Sequence, residues 1–88
     1  DLIKFKCIDL AYQALEHGGT STAALNIAND IAVNLFLSGK IKFIDIPLII
    51  EKSIEKHEQI SSPTLDDIYN LMDWTNEYIT KEVNYAHN

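Results

Sequence analysis

The chain has 88 residues, with thirteen acidic and seven basic side chains and a net charge of −6. This length fits one domain with one modest hydrophobic core. The acidic balance and the lack of arginine argue against a nucleic-acid-binding surface, which needs clustered positive charge. No apolar run approaches the length of a membrane span. Because the chain begins at Asp1 and its only methionine is Met72, we expect it to be part of a longer protein.

The hydrophobic pattern predicts four helices, separated by segments that contain Gly or Pro. Their expected spans are 6–17, 21–37, 46–57 and 65–83. In the first helix, the residues at three- and four-residue spacing that predict the buried face are Cys7, Leu10, Ala11, Ala14 and Leu15. Four helices without a convincing strand predict a single all-α domain over 1–88, arranged like a four-helix bundle.

The second helix is predicted to be central, because it is apolar around most of its circumference. Its only polar residues after the first turn share one arc: Asn26, Asn29, Asp30 and Asn34. Asparagine disfavours helices, so three of them within nine residues need a reason. We interpret this arc as hydrogen-bonding to neighbouring loops or to another domain. Direct contact with a ligand is the less favoured alternative.

The fourth helix carries two apolar stripes on roughly opposite sides. The first, predicted to face the core, comprises Leu65, Ile68, Tyr69, Met72, Ile79 and Val83. The second comprises Leu71, Trp74 and Tyr78, and it is predicted to point away from the core as a docking surface. A kink, or cover by residues 1–5, is the alternative. Thr64 and Asp67 have the spacing of a capping box at the start of this helix.

No residue pattern predicts catalysis or metal binding. His17, His57 and His87 are far apart and lack a His or Cys partner at helical spacing, which argues against a zinc site. The lone Cys7 is typical of a small buried hydrophobe. Gly18 and Gly19 lack the lysine and the spacing of a phosphate-binding loop, and they are expected to end the first helix. These observations predict a non-catalytic helical module.

One ordered series of residues resembles a known family. The series comprises Gly18-Gly19-Thr20, Leu25-Asn26, Ala28-Asn29-Asp30, Ala32-Val33, Phe36-Leu37, Gly39, Ile41, Phe43 and Asp45-Ile46-Pro47. Its order and spacing resemble the C-terminal helical domain of 1-deoxy-D-xylulose 5-phosphate reductoisomerase. The sequence departs from that pattern where the family has Pro, Glu and Arg and this chain has Lys6, Asp30 and Glu77.

The resemblance implies a multidomain α/β enzyme with an NADPH-binding domain, a catalytic domain and a C-terminal helical domain. Such an enzyme converts 1-deoxy-D-xylulose 5-phosphate to 2-C-methyl-D-erythritol 4-phosphate in the non-mevalonate isoprenoid pathway. It uses NADPH and Mg or Mn, forms homodimers, and is found in the bacterial cytoplasm or in plastid-type organelles. Its catalytic, cofactor-binding and metal-binding residues belong to domains absent from this chain, so none is expected here.

The resemblance therefore implies a supporting role for this chain, which is expected to be inactive alone and to bind no cofactor. Its expected partner is the catalytic domain of its own chain, with no role for nucleic acid or membrane. The candidate interdomain contacts are Asn26, Asn29, Asp30, Asn34, Leu71, Trp74 and Tyr78. The alternative is an autonomous acidic helical protein-interaction module. A small stand-alone metal enzyme has almost no support in the sequence.

Overall fold

The structure is a computed structural model that describes residues 1–86. Its four helices are α1 (Leu2–His17), α2 (Thr20–Leu37), α3 (Asp45–Lys56) and α4 (Leu65–Ala86). Residues 1–86 contain no strand, and the predicted all-α fold is confirmed.

The reciprocal capping box predicted at the start of α4 is also confirmed. The Asp67 N–H donates to Thr64 Oγ1 over 3.1 Å, and the Thr64 N–H donates to Asp67 Oδ2 over 2.8 Å.

Helix α1 begins at Leu2, earlier than the start at residue 6 that the sequence predicts. The Asp1 carboxylate caps it by accepting hydrogen bonds from the Ile3 and Lys4 N–H groups, at 2.9 and 3.2 Å. A proline at position 6 would remove a backbone donor from this turn, whereas Lys6 lets the helix continue. Lys6 also lies 2.5 Å from the Glu51 carboxylate on α3, and this hydrogen bond raises the pKa of Lys6.

The buried face of α1 is narrower than predicted. Only Leu10 and Ala14 are buried, whereas Leu15 is 67% exposed. Leu15 lies about 100° around the helix from Ala14, which takes it out of the contact with α2 and α3. The inner face therefore ends at Ala14, and the prediction for Leu15 was wrong.

Helix α2 is central: both α2 and α3 contact all the other helices, but α1 and α4 each pack more extensively on α2 than on α3. Its buried face presents small alanines at a spacing of four, namely Ala24, Ala28 and Ala32. Small side chains let neighbouring helices approach closely, so larger residues such as Ile50 of α3 and Ile79 of α4 fill the core against them. Helices α1 and α4 both pack on the α2–α3 pair, and within residues 1–86 they do not contact each other.

Hydrogen bonds from the segment after α3 hold the turn between α1 and α2. We call them the clasp: the contacts of residues 57–60, which follow α3, with residues 17–21. The Thr20 N–H donates to the Ile60 carbonyl and the Ile60 N–H donates to Thr20 Oγ1, both over 3.0 Å. Buried His57 lies beside them, with Nε2 3.0 Å from Thr20 Oγ1 and Nδ1 against the Ile54 carbonyl. Because a carbonyl only accepts, Nδ1 donates, and in the neutral ring Nε2 accepts the Thr20 hydroxyl.

Gln59 extends the clasp to the end of α1. Its amide nitrogen donates to the His17 and Gly18 carbonyls, at 3.1 and 3.2 Å, at the end of α1, where the last carbonyls lack helical partners. The Gly18 carbonyl also accepts from the Ser21 N–H over 3.0 Å. Its amide oxygen accepts the Ser21 hydroxyl over 2.6 Å. The clasp therefore satisfies the polar groups of the α1–α2 turn with groups from a distant part of the chain.

The clasp leaves no room for a side chain at Gly19. This residue has φ +54°, and a Cβ placed there would lie 2.3 Å from the Ile60 carbonyl oxygen. Gly18 has a similar backbone conformation, with φ +68°, but a Cβ there would meet nothing within 4 Å. Both positions need glycine for conformation, and Gly19 needs it for space as well.

This difference makes a matched pair of substitutions informative. We expect Gly18→Ala to lower the free energy of unfolding by about 1–2 kcal/mol, because alanine disfavours positive φ. Gly19→Ala should lower it by at least about 1 kcal/mol more, because it also forces the Ile60 backbone away and disrupts the clasp. Urea denaturation followed by circular dichroism measures both. Equal losses for the two variants would contradict the described packing of Gly19.

Candidate functional site

The polar arc of α2 faces solvent. All four of its residues, Asn26, Asn29, Asp30 and Asn34, are exposed. None of these side chains forms a hydrogen bond with another residue in the part of the chain that the structure describes, so ties to neighbouring loops are not seen there. Helical asparagines without internal partners leave their amide donors and acceptors available to a partner outside this domain.

The arc adjoins α1 through a small cavity. Asn26 and Asn29 line this cavity, of about 130 Å³, together with Cys7 of α1. Cys7 is only partly buried, rather than fully buried as the sequence predicts. The surfaces of α1 and α2 therefore meet at a shallow groove whose polar edge belongs to the arc.

The predicted docking stripe of α4 is corrected by the structure. Leu71 is buried, with 7% of its surface exposed, and lies in the face that packs on the bundle. The buried face runs between the two predicted stripes, because it takes Leu71 from one, and Ile79 and Val83 from the other. Thr75 lies at its centre with no exposed surface, and its hydroxyl donates to the Leu71 carbonyl over 2.6 Å. A threonine that satisfies its own hydroxyl in this way behaves as a core residue.

The same correction applies to part of the other stripe. Three of the residues predicted to face the core are exposed: Leu65 by 68%, Tyr69 by 55% and Met72 by 41%. The bundle therefore covers only part of this stripe, namely Ile79 and Val83 towards the end of α4.

Trp74 and Tyr78 lie at the edge of the buried face. Their rings stack in parallel, with centroids 5.0 Å apart and an interplanar angle of 8°. Both are partly buried, so one side of the pair remains accessible. Burial, and then the negative charges of Glu82 and Glu55, raise the pKa of the Tyr78 hydroxyl. The pair is thus a partly exposed aromatic surface, without Leu71.

Among the residues that the structure describes, no group of three His, Cys, Asp or Glu side chains is placed to hold a metal ion. His57 is engaged in the clasp, and His17 contacts the Gln13 carbonyl of its own helix over 2.7 Å. His87 lies outside the described residues. None of the described helices is long and apolar enough to cross a membrane.

The structure defines an all-α domain of four helices with one hydrophobic core and with exposed polar and apolar surfaces. The family model for the DXP reductoisomerase C-terminal domain matches residues 1–78. The chain therefore belongs to the family of DXP reductoisomerase C-terminal domains.

Individual relatives agree with this assignment. The chain is 51% identical to the 1-deoxy-D-xylulose 5-phosphate reductoisomerase of Thermoanaerobacter sp. (strain X514), over 93% of this chain and 22% of the relative. It is 46% identical to the reductoisomerase of Halothermothrix orenii, over 84% of this chain and 19% of the relative. The chain thus spans about a fifth of the length of these relatives. No solved structure matches the chain.

The clasp explains part of the pattern on which the resemblance rests. In the Gly18-Gly19-Thr20 series, Gly19 makes room for Ile60, and Thr20 bonds His57 and Ile60. Sequence reasoning recognised Gly18 and Gly19 as a helix end but missed the roles of His57 and Gln59. The only local signal was an unexplained His and Gln after α3, and nothing in their spacing indicates a partner some forty residues away.

The corrected face of α4 yields a test on adjacent residues. Leu71→Ala should lower the free energy of unfolding by about 2–5 kcal/mol, because it opens a cavity in the core. Met72→Ala, its exposed neighbour on the same helix, should cost about 1 kcal/mol or less. Urea denaturation measures both values. If the two losses are equal, Leu71 does not belong to the core, and the original docking stripe regains support.

Proposed function

We propose that this chain is the supporting C-terminal domain of an enzyme that converts 1-deoxy-D-xylulose 5-phosphate to 2-C-methyl-D-erythritol 4-phosphate. The observation that carries the proposal is the family match over residues 1–78, together with relatives of that name at up to 51% identity. The chain corresponds to about a fifth of those relatives, so the reaction belongs to the whole enzyme rather than to these 88 residues.

The supporting role follows from what the domain offers. Its buried polar side chains bond to other side chains or to backbone, as His57 and Thr75 do. The α2 arc instead offers unpaired amides on an exposed helix. Amides both donate and accept hydrogen bonds, so they suit contact with the backbone of a neighbouring domain. We assign two surfaces to contact with the catalytic domain: the arc of α2 and the partly exposed Trp74–Tyr78 pair.

The remaining properties of the enzyme are assigned to the parts of the chain outside these residues. There we place the binding of NADPH and of Mg or Mn, and the formation of a homodimer. The relatives named above are bacterial, which supports the bacterial cytoplasm as the location of the whole enzyme. The domain alone is expected to bind no cofactor and to catalyse no reaction.

A domain exchange tests this proposal. The C-terminal domain of the Thermoanaerobacter sp. reductoisomerase is replaced by this chain, and NADPH oxidation is followed with 1-deoxy-D-xylulose 5-phosphate and Mg or Mn. We expect the chimera to turn over, because this chain belongs to the same domain family and is 51% identical to the domain that it replaces. The enzyme lacking the domain and the 88-residue chain alone serve as controls, and both should show no turnover.

Two results would contradict the proposal. One is a folded chimera without activity, which would mean that this chain cannot support the catalytic domain. The other is turnover by the 88-residue chain alone, which would place the reaction within it.

A further inference from the structure

Helix α1 carries a second apolar face that nothing in the domain covers. Its five large side chains recur at three- and four-residue spacing, and we call them the outer face of α1. They are Leu2 (87% exposed), Phe5 (66%), Ile8 (43%), Tyr12 (67%) and Leu15 (67%). At 100° per residue they occupy an arc of about 140°, on the side opposite to Leu10 and Ala14.

The distribution of apolar surface on α1 is unusual for a helix at a free surface. Its inner face buries only Leu10 and Ala14, while the outer face exposes five large side chains. A surface helix normally keeps one apolar stripe and turns charged residues to water. A contiguous apolar patch of this kind typically marks a contact with another protein surface.

We propose that the outer face of α1 docks on the part of the same chain that precedes Asp1, namely the catalytic domain of the enzyme. This inference rests on the proposed function and names the surface through which the domain gives its support.

The position of α1 favours this occupant. The matched family model is that of a C-terminal domain, and the chain covers 22% of a relative's length. In the proposed enzyme, the remaining length therefore precedes Asp1 and enters the domain through α1. Leu2 is the first residue of α1, so the outer face begins at the end of the helix through which the preceding chain enters. A tethered neighbour has a high effective concentration at this face, which a second, untethered copy lacks.

The surroundings of the outer face fit an interdomain contact. Cys7, which directly precedes Ile8, lines the cavity shared with Asn26 and Asn29 of the arc. A domain that covers the outer face would thus meet the amides of α2 at its edge. An apolar centre with a polar rim is the usual composition of such interfaces.

Cysteine labelling in the full-length chain tests the proposal. Single Phe5→Cys, Tyr12→Cys and Leu15→Cys variants probe the outer face, and Leu65→Cys and Tyr69→Cys on α4 are controls with comparable exposure within the domain, at 68% and 55%. Each variant is treated with a maleimide under native conditions, and mass spectrometry measures modification of the peptide that carries the new thiol. Because every substituted position is exposed in the domain, none removes a core side chain.

We expect the outer-face thiols to react at least about tenfold more slowly than the controls, independently of protein concentration. Equal rates at the two sets of positions would overturn the proposal. Protection that disappears on dilution would also overturn it, because a second copy would then be the occupant. Turnover is measured on the same samples. An active enzyme with unprotected outer-face thiols would contradict the docking proposal but not the proposed function.

Discussion

The contact between the α1–α2 turn and the segment after α3 is the constraint on which the rest of the domain depends. Thr20, buried and bonded to both His57 and Ile60, joins parts of the chain about forty residues apart. Gln59 adds bonds to the end of α1, and the space for Ile60 exists only because residue 19 is glycine. Since α3 leads into this segment and α4 follows it, the contact couples the placement of both helices to the turn between the first two.

The clasp and the packing against the alanines of α2 leave the buried polar groups of the domain paired within the domain itself. No buried side-chain nitrogen or oxygen within residues 1–84 lacks a hydrogen-bond partner. Unpaired polar groups lie on the surface in the arc of α2, and the exposed apolar side chains include the five of the outer face of α1. This arrangement fits the proposed supporting role, because the stability of the domain and its proposed contacts then depend on different residues.

The sequence predicted the features that depend on local periodicity and missed those that depend on distant pairs. The four helices and the Thr64–Asp67 cap follow from spacing alone. The buried face of α4 was misplaced because Thr75 counts as polar in a pattern, whereas its hydroxyl bonds its own helix and allows full burial. The clasp was missed because no local pattern connects His57 to Thr20. The exposure of the arc and of the outer face of α1 likewise depends on where the other helices lie.

The central claim is that this domain supports the catalytic domain through its own folded state. The direct measurement compares full-length enzymes carrying Gly18→Ala or Gly19→Ala, recording for each the temperature at which NADPH-dependent turnover is lost. The account predicts that turnover is lost at a lower temperature in the Gly19→Ala enzyme than in the Gly18→Ala enzyme. Disrupting the clasp makes the helical domain unfold at a lower temperature, whereas the residues of the catalytic domain are unchanged. An unchanged inactivation temperature, in an enzyme whose helical domain demonstrably melts earlier, would contradict it.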